Sequence, residues 1–158
     1  MEYQIRLAVP ADIPALCKLR LAYFDEEFGT LPAEKTAAIN EHLPAYFAAH
    51  LGRDCIAAAA EAPDGTLVSN ALLTVIEKPA NPFFPCGRSG YVLGVFTEPE
   101  HRGQGLATQI MAMILQEAKR LELDTVTLSA SEMGKPIYEK LGFTVKQSKF
   151  TEMEWYPE

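Results

Sequence analysis

Long apolar runs are missing from this chain: none approaches the roughly 18 residues that a membrane-spanning helix requires. No basic stretch followed by a short apolar core opens it either, so a cytoplasmic protein is expected. Basic residues are outnumbered. With 14 Lys and Arg against 21 Asp and Glu, the net charge of −7 argues against nucleic acid and against an anionic membrane surface as partners. A small molecule is the expected ligand. Cysteines are few: Cys17, Cys55 and Cys86 are odd in number and far apart, which suits reduced thiols better than a disulfide framework. His42, His50 and His101 do not sit with cysteines or acids at metal-ligand spacing, so no metal is expected. There is no repeat, low-complexity tract or interdomain linker, and a hydrophobic content of 48% suffices for the core of a single domain over residues 1–158.

What is present is an orderly succession of strand and helix patterns. Gln4 to Val9 alternates as a strand and stops at Pro10. Asp12 suits the N-cap of a helix reaching about Phe28, with Leu16, Leu19 and Tyr23 on one side and Gly29 at its end. A second helical stretch runs from about Ala33 to His50, bent near Pro44, with Gly52 beyond it. Cys55 to Ala60 has the alanine content of a helix, but it is short and enters the turn Pro63-Asp64-Gly65-Thr66. A hairpin returning over Leu67 to Ile76 fits better. Pro79 to Gly87 reads as an irregular loop, and Tyr91 to Phe96 as a strand rich in β-branched and aromatic residues. Beyond it, strands are expected at Thr125 to Leu128, Phe143 to Lys146 and Phe150 to Trp155.

The most informative segment is Thr97-Glu98-Pro99-Glu100-His101-Arg102-Gly103-Gln104-Gly105-Leu106-Ala107-Thr108. Pro99 ends the strand before it, and Leu106, Ile110, Met113, Ile114 and Leu121 recur at helical spacing after it. A helix therefore starts near Gly105, where the first N–H groups lack partners and the dipole is positive. Gly103 and Gly105, without a Cβ, let a pyrophosphate approach those donors. Two familiar phosphate fingerprints do not fit, because no third glycine follows for a dinucleotide turn and no Gly-Lys-Ser/Thr for a Walker loop.

Arg102-x-x-Gly105-x-Ala107 instead resembles the coenzyme A pyrophosphate signature of the GNAT acetyltransferase superfamily, written Gln/Arg-x-x-Gly-x-Gly/Ala. Downstream, Pro136 suits a first helical turn and Gly142 a helix end, so Tyr138 rides on a short helix. Tyr138-x-x-x-Gly142-Phe143 resembles the GNAT helix whose tyrosine commonly faces the thioester sulfur. The specific motifs lie within about Tyr91 to Met153 and look like a bacterial subgroup with poorly defined acceptors. Many relatives carry asparagine where Ser131 and Gly94 stand here.

The resemblance implies an α+β fold: one GNAT-like domain with a mixed, mostly antiparallel sheet of six to seven strands flanked by about four helices. It implies an enzyme transferring an acetyl group from acetyl-coenzyme A directly to a primary amine of a small molecule or peptide. Val95, Phe96 and Thr97 would pair with the pantetheine arm, and a backbone N–H there would stabilise the oxyanion. Arg102, Gly103, Gln104, Gly105, Ala107 and Thr108 would hold the pyrophosphate, mainly through backbone donors. Tyr138 would donate to the departing thiolate. For the acceptor, Glu98, Glu77, Glu152 and His101 are candidate bases, and Arg20, Arg88 and Cys86 candidate pocket residues. Phe83 and Phe84 form either a lid or a subunit contact, and a homodimer is expected. A non-catalytic acyl-coenzyme A sensor, or an acyltransferase with another donor or a hydroxyl acceptor, would keep the same motifs.

Overall fold

Cys55 to Ala60 form a strand rather than a helix, because small side chains on both faces let helices pack closely against the sheet centre. Ile56, Ala58 and Ala60 face one core and Cys55, Ala57 and Ala59 the other, the period-two alternation of a strand buried on both sides. The computed structural model describes residues 2–157. In chain order the elements are β1 (Gln4–Leu7), α1 (Ile13–Phe28), α2 (Ala33–His50), β2 (Cys55–Glu61), β3 (Leu67–Glu77), β4 (Arg88–Thr97), α3 (Leu106–Arg120), β5 (Val126–Leu128) and α4 (Lys135–Lys140). The sheet order is β1-β2-β3-β4-β5, antiparallel throughout except for the parallel pair β4 and β5.

Each face of this sheet carries its own core. On one side Leu106, Ile110, Met111, Ile114 and Ala118 of α3 cover Ile56, Ala58, Leu73 and Val92, with Tyr138 of α4 at the edge. On the other, Leu16 and Leu19 of α1 and Leu43 and Phe47 of α2 cover Cys55, Ala57, Leu72 and Phe96. Burying a side chain of the size of Leu or Phe contributes roughly 1.5–3 kcal/mol. Both layers are therefore needed to hold the sheet.

Two details differ from the sequence expectations. Asp12 stands at the start of α1 but does not cap it, because its carboxylate is taken by Arg6 (2.7 and 2.9 Å) and by the Val9 N–H (2.8 Å) across a short 3₁₀ turn. Arg6 also donates to Glu61 at 2.7 Å, so one guanidinium ties β1, β2 and the entry to α1 together. α2 spans Ala33–His50 with Pro44 inside it, the extent the sequence pattern predicts.

The sheet, finally, has five strands and not six to seven. Phe143 to Lys146 and Phe150 to Trp155 form no ladder; after α4 the described chain is irregular, with Val145, Phe150, Met153, Trp155 and Tyr156 exposed. Strand-like composition records a fit to a half-buried pleated surface, and it makes no strand without a hydrogen-bonding edge beside it.

Candidate active site

The site is organised around an irregularity in β4. Between the pairs Leu72 with Leu93 and Asn70 with Phe96, β3 advances two residues while β4 advances three, so β4 bulges. Gly94 lies in that step at φ +67°, a left-handed conformation that costs little without a Cβ. The bulge turns Val95 towards the α3 core and Phe96 towards the α1 core. On its other edge β4 is paired with β5 only over Gly90, Tyr91 and Val92. From Leu93 to Thr97 no strand lies along that edge among the described residues, because β5 ends at Leu128 opposite Val92, and the main chain of this stretch is left open on that side.

The loop after β4 leads into α3. A 3₁₀ turn at Pro99–His101 lifts the chain, Gly103 and Gly105 adopt φ +78° and +75°, and Gly105 is the N-cap residue of α3. Among the described residues, the N–H groups of Gly103, Gln104, Gly105, Leu106, Ala107 and Thr108 donate to no protein acceptor; the first bond of the helix is Gln109 N–H to Gly105 at 3.2 Å. Six consecutive free donors at a helix N-terminus are chemically suited to an anion. A Cβ on Gly103 or Gly105 would meet no protein atom within 4 Å, so it would project into open space.

Arg102 is placed differently from its glycine neighbours. Its guanidinium donates to the Thr97 carbonyl (2.8 Å) and to Glu26 of α1 (2.6 Å), while its N–H donates to Pro99 (3.3 Å). It holds the loop against β4 and α1. His101 is likewise occupied, with Nδ1 2.8 Å from the Tyr3 hydroxyl.

Tyr138 lies on α4, the helix after β5, and its ring joins the core on the α3 side of the sheet. Ser131 shapes that turn, its hydroxyl accepting the Gly134 N–H (3.1 Å) and its carbonyl the Lys135 N–H (2.9 Å). Gly134 is required here, since a Cβ would lie 2.9 Å from the Tyr138 ring. The ring packs edge-on to Phe143 and is buried, and burial pushes the phenol pKa up, with nearby Tyr23 of α1 acting in the same direction. Among the described residues the hydroxyl has no protein partner, so a protonated donor is left free for a ligand.

On the opposite face of the sheet α1 and α2 flank an open cavity of about 420 Å³, lined by Ile39, Leu43, Phe47, Leu72 and Leu93 among others, with Arg20, His42, Tyr46 and Thr74 as its polar members. Of the candidate acceptor residues only Arg20 lines it. Arg88 donates instead to the Leu121 carbonyl (2.9 Å) with Glu77 nearby, and Cys86 packs against Asp124, both at the far end of the β3–β4 pair. Glu98, His101 and Glu152 are not in its lining either, and Phe83 is exposed on the distant loop.

The structure brings in groups that the sequence did not single out. His42 and Tyr46 lie one turn apart on α2, their rings stacked at 5.7 Å; that i, i+4 spacing was the available signal. Burial pushes Tyr46 up to about 12 and Cys55 to about 11, so neither ionises near neutrality. Asn70, only 1% exposed, shares its face of β3 with Leu72 and Thr74, and its amide nitrogen lacks a protein partner. Nothing in the sequence marked it.

The family model described as an acetyltransferase (GNAT) domain matches residues 71–155, from mid-β3 through β4, the start of α3 and Tyr138. The chain belongs to the GNAT acetyltransferases. A crystal structure described as a predicted acetyltransferase with acetyl-CoA from Clostridium acetobutylicum superposes with a TM-score of 0.82 at 28% identity, covering 97% of this chain and 96% of that one. A GCN5-related N-acetyltransferase from Ralstonia eutropha (TM-score 0.78, 24% identity, 96% and 99% covered) shares the GNAT fold. Among curated proteins, an uncharacterized N-acetyltransferase, ycf52, of Gracilaria tenuistipitata is 33% identical over 63 residues, 40% of this chain and 35% of the relative. The match thus spans about a third of that relative's own length. No helix among the described residues is long and apolar enough to cross a membrane, and none of their His, Cys, Asp and Glu side chains gather in a group of three or more able to hold a metal.

Proposed function

We propose that this GNAT protein transfers an acetyl group from acetyl-coenzyme A to a primary amine without a covalent enzyme intermediate. One observation carries the reading: six unpaired N–H donors at the start of α3 lie immediately after a strand whose edge is open over Leu93–Thr97. Gly103, Gln104, Gly105, Ala107 and Thr108 offer their N–H groups to the pyrophosphate, which explains how a chain of net charge −7 takes a polyanion. Arg102 keeps that loop in shape. Val95, Phe96 and Thr97 present main-chain groups to the pantetheine arm in the manner of an added strand.

Acetyl-coenzyme A supplies an activated acetyl group and a thiolate leaving group. A backbone N–H at the β4 bulge, taken as that of Val95, stabilises negative charge on the carbonyl oxygen as the amine nitrogen bonds to carbon; one such donor is worth roughly 3–4 kcal/mol. As the C–S bond breaks, Tyr138 donates its hydroxyl proton or a hydrogen bond to sulfur. The amine must attack unprotonated. His42 carries the only imidazole in the lining of the cavity and is the base assigned to its proton.

The acceptor is a small-molecule or peptide amine in a cytoplasmic setting, and a homodimer would cover exposed apolar groups such as Phe83 and the chain end. Mass spectrometry of the protein incubated with acetyl-coenzyme A and a pooled amine library tests the reading. An acetylated amine appearing only with active protein is expected. Binding of coenzyme A with no acetylated product would identify a sensor, and stabilisation by NAD rather than coenzyme A would remove the cofactor assignment. Light scattering that gives a mass near 17.4 kDa would remove the dimer.

A further inference from the structure

We propose that the cavity between α1, α2 and the β3–β4 pair selects a free α-amino acid with an apolar side chain, whose carboxylate Arg20 holds. The inference deepens the acetyltransferase reading for the transfer step, while its binding part stands apart from it. Its starting point is a contrast among the arginines. Arg6, Arg53, Arg88, Arg102 and Arg120 each donate to a protein oxygen. Arg20 alone, among the described residues, has no hydrogen bond or ion pair; it lines the cavity and is partly shielded from water.

Its surroundings hold the guanidinium without satisfying it. Arg20 Cζ lies 4.7 Å from the centre of the Phe24 ring and 5.9 Å from that of Tyr23, contacts that place the charge over aromatic rings and give its N–H groups no oxygen acceptor. Five in-plane N–H donors remain, a fork that matches a carboxylate. Gly94 keeps the space open, because a Cβ there would come within 2.7 Å of Nη1. A shielded charge without a counter-charge is costly, and an anionic ligand removes that cost.

Position and shape narrow the anion further. Arg20 touches the β4 bulge one residue before Val95, the residue assigned to the acetyl oxygen, and Tyr23 links Arg20 to the neighbourhood of Tyr138. An anion bound at Arg20 must therefore belong to a molecule whose amine lies close to its acidic group. In an α-amino acid a single carbon separates the two. Ile39, Leu43, Phe47, Leu72 and Leu93 surround the remaining space, and about 420 Å³ lies within the range of roughly 300–1,000 Å³ found for small-molecule sites. That lining fits an aliphatic or aromatic side chain. A peptide N-terminus, whose first carboxyl is an amide, leaves Arg20 unpaired.

The test compares L-phenylalanine with L-phenylalaninamide, equal in shape but without the carboxylate, by calorimetry on the whole protein. Wild type is expected to bind the acid about ten- to a hundredfold more tightly, as charge-assisted hydrogen bonds imply. Arg20→Met should erase that preference and Arg20→Lys, which keeps the charge but not the fork, retain part of it; far-UV circular dichroism verifies that both variants fold. Equal binding of acid and amide, no binding of L-phenylalanine at millimolar concentration, or an unchanged preference in Arg20→Met overturns the proposal. Thiol release from acetyl-coenzyme A separates the two levels. Transfer to the amide as efficient as to the acid keeps the acetyltransferase and removes the carboxylate site, whereas selective binding of the acid with no transfer keeps the site and removes the acetyltransferase.

Discussion

The α3 side of the proposed site offers main chain, and the α1–α2 side offers side chains. Around α3 the groups offered to a ligand are the N–H donors of Gly103 to Thr108 and the free edge of β4. Around α1 and α2 they are a guanidinium, an imidazole and a set of aliphatic walls. Main-chain donors need particular backbone angles and hence glycine at fixed positions, which leaves a short readable motif. Side-chain pockets need only suitable volume and one or two polar groups, drawn here from α1, α2, β3 and β4. A family can thus keep one half of such a site while the other changes.

Gly105→Val should break the main-chain half most severely. The left-handed conformation at φ +75° strains a β-branched residue, by about 1–2 kcal/mol for an ordinary one. Loss or misplacement of two charge-assisted donors, at about 1.5–3 kcal/mol each, predicts a fall in coenzyme A affinity of roughly a hundredfold or more. Calorimetry with coenzyme A checks it, and unchanged affinity in a folded variant would move the phosphate site elsewhere.

Tyr138→Phe tests the junction of the two halves. The ring keeps its contact with Phe143, so coenzyme A affinity should hold while turnover falls about ten- to a hundredfold, near or below the lower end of general-acid effects because a thiolate leaves readily. That corresponds to about 1.4–2.7 kcal/mol in the barrier. Single-turnover rates with an identified acceptor measure it. Loss of coenzyme A binding instead would make Tyr138 a wall of the donor site.

Asp12→Asn reaches only the side-chain half, since Asp12 and Arg6 fix the start of α1 against the sheet. Arg6 holds the Asp12 carboxyl below its ordinary value, so the pair stabilises the fold above about pH 4 and that contribution disappears as pH falls through the lowered folded value. The variant should lose about 1–2 kcal/mol at neutral pH and less in acid, with acceptor KM rising more than donor KM. A denaturation series at pH 7 and pH 3 reads the stability, and an equal loss at both would show that charge is not the cause.

Arg102→Gln should have the smallest effect. Its ion pair with Glu26 is exposed, and such pairs contribute about 0–1 kcal/mol, so coenzyme A affinity should fall no more than about fivefold. A hundredfold loss in the same titration would mean that the guanidinium leaves Glu26 to bind phosphate.

How much could be read in advance follows the same division. Apolar periodicity and turn residues located the hairpin through Asp64-Gly65, the helix after Gly105 and the short helix at Tyr138, because local chemistry dictates each. The bulge at Gly94 was not legible: it depends on the register between β3 and β4, which no single strand encodes. Arg20 was visible as a candidate, but its lack of a partner emerges only from three-dimensional packing. His42 and Asn70 were missed for the same reason. The five strands in place of six to seven show the limit of pattern reading at an edge, where alternation persists in Phe150 to Trp155 without a neighbour to pair with.

That unpaired chain end carries the only tryptophan, Trp155, which is 82% exposed. Its indole is already surrounded by water in the native fold, so its emission should scarcely shift when the domain melts. Tryptophan fluorescence would then report a folded domain as denatured and follow little of its unfolding. The buried rings of Tyr138 and Phe47, and the helices themselves, are the better witnesses, through near- and far-ultraviolet circular dichroism. Conversely, a blue shift of the lone indole under native conditions would signal that something has come to cover the chain end.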